Sequence, residues 1–364
     1  MPDVPPSAQF RVDHAEVVVT AAERQAKNLT HWPDGTIGSV RRKGQLISIG
    51  PNGSGLARSE QPVHRWWRRQ RDQSAMGQIT GTDGVVDALR SPADYVAGGP
   101  LHYEANADLL VLVYHAEEHP DGDPTRFYAT LGLAASTDGG HRFTDLGRVV
   151  RPELPPEAAA RASGPVEMGP GSLLVTAEQY IVLFHDFLPN GRRINLAAAA
   201  APRDELIEAA RRGESIEWKK YDGSSFTTPA WGGRATELLP AVIGTDAVEW
   251  MDTVWLPDQQ CWAMVASSSV FGAWTLTTAY SYDGVRWSQP RVVRGSRSLA
   301  EALYVSIDRS ALLSRRTPRS SSELAVFRVI SPSGGYQRWD DAEVERLVLV
   351  PDNPPAMQHG GLQP

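Results

Sequence analysis

From residue 34 to residue 331 the chain repeats one short pattern five times: a brief strand-like run, a turn, and a second, more apolar run, often with a third behind it. "DGTIGSVRRKGQLISIGPNG" opens the series at residue 34, "GGPLHYEANADLLVLVYHAEE" follows at 98 and "GPVEMGPGSLLVTAEQYIVLFHDF" at 164. "DAVEWMDTVWLPDQQCWAMVASS" comes at 246, and "ALYVSIDRSALLSRR" with "SELAVFRVIS" begins at 302. These runs are rich in Val, Ile, Leu, Thr, Tyr and Trp. They alternate with polar residues and are cut by Gly, Pro, Asn and Asp, the pattern of β-strands joined by turns. A spacing of roughly 65 residues is longer than the roughly 40 to 50 of familiar propeller repeats, so the loops must be long. Radial repetition of four-stranded sheets lets an all-β chain of this size avoid long exposed edges. The expectation is therefore an all-β, five-bladed β-propeller forming one domain over residues 1–364, with blades starting near 34, 98, 164, 246 and 302.

Helical periodicity is almost absent. The exception is "PRDELIEAARRG" at 202–213, with Asp204 and Glu205 in its first turn, Arg211 and Arg212 in its last, and Gly213 to stop it. It is expected as a helical insertion between the third and fourth units.

Two turns share a second pattern. "STDGGHRF" at 136–143 and "SYDGVRW" at 281–287 each place Ser, then Asp-Gly, then an aromatic after an alternating apolar run. Asp138 and Asp283 are expected to accept hydrogen bonds from the turn backbone, Gly139 and Gly284 to take positive φ, and Phe143 and Trp287 to plug the blade. The turn is read as structural, joining third and outermost strands.

Bulk properties narrow the function classes. With 41% apolar and 22% charged residues the chain is an ordinary globular one, and no apolar run approaches the roughly 20 residues that cross a bilayer. The net charge of -7 argues against nucleic acid or an anionic membrane as partner. The one dense basic stretch, "HRWWRRQRD" at 64–72, is read as a surface strand whose Arg stems cover apolar neighbours rather than as a base-stacking platform. A single cysteine, Cys261, excludes an internal disulfide and any multi-thiolate metal site, and its apolar strand context predicts a buried, inert thiol. "MPDVPPSAQFRVDH" lacks the regions of a signal peptide, which predicts a cytoplasmic protein, or a secreted one whose leader has been removed.

At this point the residues resemble a known group. The two turns resemble the Asp-box turns of sialidases and five-bladed furanosidases, and "DGTIGSVRRKGQLISIG" is similar to the first-blade strand pair of glycoside hydrolase families 43, 32 and 68. The resemblance implies three carboxylates from the innermost strands of successive blades: a base or nucleophile, a group that orients and tunes, and a general acid. One carboxylic acid protonates the leaving oxygen while a carboxylate opposite attacks or activates water. On that basis Asp34 is expected as base or nucleophile, and Glu167 in "VEMGPGSLL" as general acid. The second unit departs from the pattern, carrying Pro100 where the family has Asp. Glu104, Glu117 and Glu118 are the acids available to substitute.

Other residues are candidate sugar contacts. Asp252 is framed by Trp250 and Trp255, a carboxylate for hydroxyls between aromatic faces for ring C–H groups. Asp308 occupies the matching place in the fifth unit, with pairing to Arg309 or Arg41 as its structural alternative. His102 and His115 are expected on adjacent strands of one blade, as sugar-binding or core hydrogen-bonding groups. None of these, nor His31, His119 or His185, forms a HExxH-like set, so no metal or other cofactor is expected. Trp231, Arg234 and Glu237 lie in the loop-like 226–240 segment, read either as a rim over the channel mouth or as rim decoration. The predicted function is a glycoside hydrolase or related glycan-processing enzyme acting on a furanoside-type or similar sugar. A non-catalytic carbohydrate-binding propeller and a propeller recruited as a biosynthetic lyase or cyclase remain as alternatives.

Overall fold

The structure, a computed structural model, describes residues 5, 9–26, 33, 35–52, 55–59, 78–79, 94–122, 126–159, 164–169, 171–239, 245–298, 302–309, 323–331 and 339–352. Asp34, His31 and the basic stretch 64–72 lie outside the described residues.

Alternation and turn residues produce five antiparallel sheets. The first holds β2 (Gly38–Arg42), β3 (Gln45–Asn52), β4 (Gly55–Ser59) and β5 (Gln78–Ile79), in that order. The second holds β6 (Tyr95–Glu104), β7 (Leu109–Glu118), β8 (Tyr128–Ser136) and β9 (Thr144–Val150). The third has five strands: β10 (Ser172–Val175), β11 (Gln179–Phe187), β12 (Arg193–Pro202), β13 (Lys219–Tyr221) and β14 (Phe226–Pro229). β15 (Thr245–Leu256), β16 (Cys261–Val270), β17 (Ala273–Ser281) and β18 (Arg291–Val292) form the fourth. The fifth runs β19 (Ala302–Ile307), β20 (Leu324–Ile330) and β21 (Glu343–Pro351), and its outer edge is filled by β1 (Phe10–Val19).

That last pairing is not in the sequence reading. β1 runs antiparallel to β21 from Phe10↔Pro351 to Val19↔Val344, so one end of the chain caps the sheet made by the other. The edge of the fifth sheet is thereby covered, which is how a propeller limits its free edges. The first strands β2, β6, β10, β15 and β19 lie against one another in turn around a central channel, the arrangement of a β-propeller. The β2 and β19 ends meet where the Ile37 backbone N–H donates to Ser306 Oγ at 2.9 Å.

Alternation buries both faces, because each sheet packs on two neighbours. Val40, Ile47 and Ile49 of the first sheet pack with Leu110, Leu112 and Tyr114 of the second. Leu174, Leu183 and Leu196 of the third pack with Met251, Met264 and Trp287 of the fourth. Pro100 is tolerated inside β6 because this is an innermost strand whose register slips between Gly98 and Leu101.

The helix 202–213 is corrected in position. It spans Arg203–Arg212 and connects β12 to β13, two strands that pair with each other. It is an insertion inside the third sheet, not between the third and fourth units. Leu206, Ala209 and Ala210 form its buried face, so its apolar stripe had a neighbour within its own sheet.

Both Asp-Gly turns form as expected between third and fourth strands. Asp283 Oδ1 accepts the backbone N–H groups of Val285 (3.0 Å) and Arg286 (2.8 Å), and Asp138 Oδ1 accepts those of His141 and Arg142 at 3.0 Å each. Gly139 and Gly284 have φ of 83° and 82°, where a Cβ would be strained. Phe143 and Trp287 are buried. Cys261 is buried too, and burial pushes its thiol up to about 11, so it stays protonated and inert. Among the described residues no helix is long and apolar enough to cross a membrane.

Candidate functional site

The first strands begin, and the second strands end, at one end of the channel, here called the upper end. Near that end the second strand of two sheets carries the same phrase, an aromatic followed by His: Tyr114–His115 on β7 and Phe184–His185 on β11. Strand alternation sends His115 and Glu117 to one face of β7. Glu167 joins them from the segment that leads into β10, which is tied down because the His185 backbone N–H donates to Met168 O at 2.7 Å.

His115 stands between two carboxyl groups. Its Nε2 is 2.9 Å from Glu117 Oε1, and its Nδ1 is 3.4 Å from Glu167 Oε1. His119 Nε2 lies 2.7 Å from the other oxygen of Glu117. Glu167 Oε1 also accepts the Gly169 backbone N–H at 2.8 Å. Gly169 has φ 69°, and a Cβ there would sit 2.4 Å from His185 Nδ1, so this position requires glycine on two counts.

The two carboxyl groups are driven in opposite directions. Burial pushes Glu167 above its ordinary range, and the nearby Glu117 and Glu249 charges add to that push against the opposing pull of His115. Burial acts the same way on Glu117, but hydrogen bonds and charge from His115 and His119 outweigh it and hold Glu117 below the usual value. The site thus pairs a carboxyl whose proton is held more tightly than usual with one whose proton leaves more readily.

A second layer closes the same end. Arg193, opening β12, donates to Glu249 Oε1 on β15 at 2.6 Å and to His185 Nδ1 at 3.0 Å. Burial first and the Arg193 charge second hold His185 well below its ordinary pKa, leaving a neutral imidazole that accepts. Arg193 and Glu249 are not among the sequence candidates, and His185 is one of the five histidines read as sugar-binding or core hydrogen-bonding rather than metal-ligating. The repeated aromatic–His phrase of β7 and β11 was the available signal.

One atom each from His115, Glu117 and Glu167 lies within 4.8 Å of the others, so this trio is also able to hold a divalent cation. A mixed nitrogen–oxygen donor set of this kind suits Zn²⁺ or Mn²⁺.

The remaining sequence candidates are distributed elsewhere. Glu104 ends β6 at the lower end of the channel, buried, with Arg203 Nη2 at 2.7 Å, Tyr180 OH donating at 2.6 Å and His102 Nε2 at 3.2 Å. Asp252 is fully buried and takes both terminal nitrogens of Arg309 at 2.7 Å, together with the Ile307 backbone N–H. Asp308 accepts from Arg346 Nε at 3.0 Å rather than from Arg309. Trp250 is buried edge-to-face against Tyr304, with ring centroids 4.2 Å apart. Trp255 is partly exposed beside Trp262, at the lower end. Trp231 is exposed with Arg151 over its ring at 5.4 Å, and Arg234 is exposed three residues on. Glu237 accepts the backbone N–H groups of Asn195 and Leu196, fastening its loop to β12. Glu118 pairs with Arg148. Of the predicted site residues the upper cluster therefore gathers Glu117, His115 and Glu167.

No protein-family profile matches the chain, and no curated protein matches it either. Solved structures do. A structure described with the GH130 family of mannoside phosphorylases, which contains glycoside hydrolases that target β-1,2 mannosidic linkages in Candida mannan, is 12% identical with a TM-score of 0.53. The match covers 98% of this chain and 97% of that one. What the two share is the propeller fold. An N-acetylgalactosamine deacetylase from F. plautii, in complex with blood group B trisaccharide, is 10% identical over 96% of each chain at a TM-score of 0.48. An endo-1,5-alpha-L-arabinanase from Thermotoga petrophila is 10% identical over 94% of this chain and 72% of that one, also at 0.48.

Proposed function

We propose that the protein is a glycan-processing enzyme, a glycoside hydrolase, that acts on a sugar bound at the upper end of the channel. In this reading the five sheets are the five blades of one closed ring, and Glu167 at the head of the third is the general acid. The observation that carries the reading is the opposed pair of carboxyl groups: Glu167 pushed up by burial and by Glu117, and Glu117 held down by His115 and His119. Titratable groups whose environments drive them apart are what acid–base catalysis requires. Glu167 delivers its proton to the leaving oxygen. Glu117 stands in for the tuning carboxylate absent at Pro100, since it is the acid of the second sheet that neighbours Glu167. Asp34 is assigned the base or nucleophile role. Arg193, locked between Glu249 and His185, braces the wall.

The three donor atoms within 4.8 Å favour a second reading, in which His115, Glu117 and Glu167 ligate a divalent cation and the reaction is metal-assisted hydrolysis. A panel of nitrophenyl furanosides and pyranosides, with and without EDTA, tests both. EDTA-resistant turnover of one glycoside supports the acid–base reading, turnover abolished by EDTA and restored by Zn²⁺ or Mn²⁺ supports the second, and no turnover across the panel counts against both.

A further inference from the structure

The lower end of the channel, remote from Glu167, holds a cavity of about 550 Å³. Its walls come from β6, β10 and β15, with Trp262 from the start of β16, Tyr282 just beyond β17 and Arg309 just beyond β19. Ser172 Oγ and Thr253 Oγ1, hydrogen-bonded at 2.8 Å between β10 and β15, lie beside the Asp252–Arg309 pair at its inner side. We propose that this cavity is a second, non-reacting binding site for a neutral saccharide unit, which stacks on Trp255 and Trp262 under a lip formed by Tyr282. The choice of a saccharide rests on the function proposed above; the cavity itself does not.

Three observations lead there. The volume falls within the roughly 300 to 1,000 Å³ of small-molecule sites. Two large aromatics remain partly open inside a recess, Trp255 at 36% and Tyr282 at 37% exposure, and Trp255 is set edge-to-face on Trp262 with centroids 5.3 Å apart. Aromatic faces left wet in a concave wall gain from being covered, and the C–H face of a sugar ring covers them while its hydroxyls reach outward. The third is charge. Both terminal nitrogens of Arg309 are on Asp252, so the guanidinium in the lining already has an opposite partner, and His102 Nε2 faces the Glu104 carboxylate. That favours a neutral occupant over an ion.

The Asp-Gly turn then has a second use. Ser281 and Asp283 fix the turn of the fourth sheet, and the residue between them is Tyr282, held at the cavity lip. The matching turn of the second sheet carries Thr137 there, so the same scaffold presents an aromatic only where the cavity lies.

The test is ¹⁹F NMR of full-length protein labelled with 5-fluorotryptophan, with the Trp255 and Trp262 resonances assigned through Trp255→Phe and Trp262→Phe. It is run on Glu167→Gln so that no turnover intervenes. Neutral methyl glycosides and disaccharides of mannose, arabinose and fructose are titrated in. The inference expects at least one sugar to shift both resonances saturably, and Tyr282→Ala to weaken that sugar about tenfold. It is overturned if no sugar shifts them up to high millimolar concentration, if an apolar aromatic probe such as indole shifts them and the sugars do not, or if Tyr282→Ala binds with unchanged affinity. Wild-type turnover of a glycoside with silent Trp255 and Trp262 would sink this inference and leave the proposed function standing. Saturable shifts, with Glu167→Gln hydrolysing glycosides at the wild-type rate, would do the reverse.

Discussion

Among the described residues the most buried ion pair offers a sharp test of how the third sheet is held. Asp186, near the end of β11, and Lys220, on β13, are both fully buried, with Nζ 2.6 Å from Oδ2. Lys220 also donates to Gly233 O at 2.8 Å and lies 5.6 Å from the centre of the Phe184 ring, while Asp186 accepts the backbone N–H groups of Glu153 and Phe187. Lys220→Met keeps most of the volume but strands a buried carboxylate. Removing one partner of such a pair costs about 3 to 5 kcal/mol, and the two backbone donors that remain on Asp186 place the loss near the lower figure. Urea unfolding at pH 7 measures it. Burial already raises the Asp186 pKa against the pull of Lys220, and loss of Lys220 raises it further. A group whose folded pKa lies above its unfolded value resists deprotonation in the fold. The deficit of Lys220→Met should therefore be full above the raised pKa, shrink as pH falls through it, and reach its smallest size below about pH 4, the unfolded value. Asp186→Asn combined with Lys220→Met removes the charge, keeps the backbone acceptor and should recover part of the loss. A deficit below about 1 kcal/mol, or one that grows on acidification, would refute the reasoning.

Other outcomes follow from single contacts. Asp283→Ala removes the acceptor of two backbone N–H groups and should lower stability by about 1 to 2 kcal/mol in thermal unfolding, with turnover per folded molecule unchanged. Gly169→Ala forces a Cβ against His185 and strains a positive φ, so it should cost about 1 to 3 kcal/mol and depress turnover by displacing the N–H that holds Glu167; calorimetry beside a rate assay reads both.

Much of the architecture was legible because period and punctuation are local. The five first strands begin at Gly38, Tyr95, Ser172, Thr245 and Ala302, and both Asp-Gly turns sit between third and fourth strands. The pairing of β1 with β21 was not legible, because alternation marks a strand without naming its partner, and here the partner is some 330 residues away in sequence. Helix 202–213 was recognised from its caps but misplaced, since β13 and β14 are too short to advertise that the sheet continues beyond it. For the site, sequence reasoning offered Glu104, Glu117 and Glu118 without ranking them. The two ends of a β-hairpin decide the matter: Glu104 ends β6 and Glu117 lies one residue before the end of β7, so the antiparallel pair carries them to opposite ends of the channel. Arg193 and Glu249 escaped because neither belongs to a motif: Arg193 follows Arg192 at the head of β12, and Glu249 stands three residues before Asp252. Only the packing of β12 against β15 brings the two together.

The claim that Glu167 is a general acid is tested most directly by comparing Glu167→Gln with wild type on two glycosides of one sugar, differing only in leaving group. A nitrophenolate departs without a proton, whereas a methoxide requires one. The account predicts that the variant loses roughly 10² to 10⁴-fold on the methyl glycoside, the size of a general-acid contribution, and far less on the nitrophenyl glycoside. Equal losses on both substrates, or wild-type rates on the methyl glycoside, would contradict it.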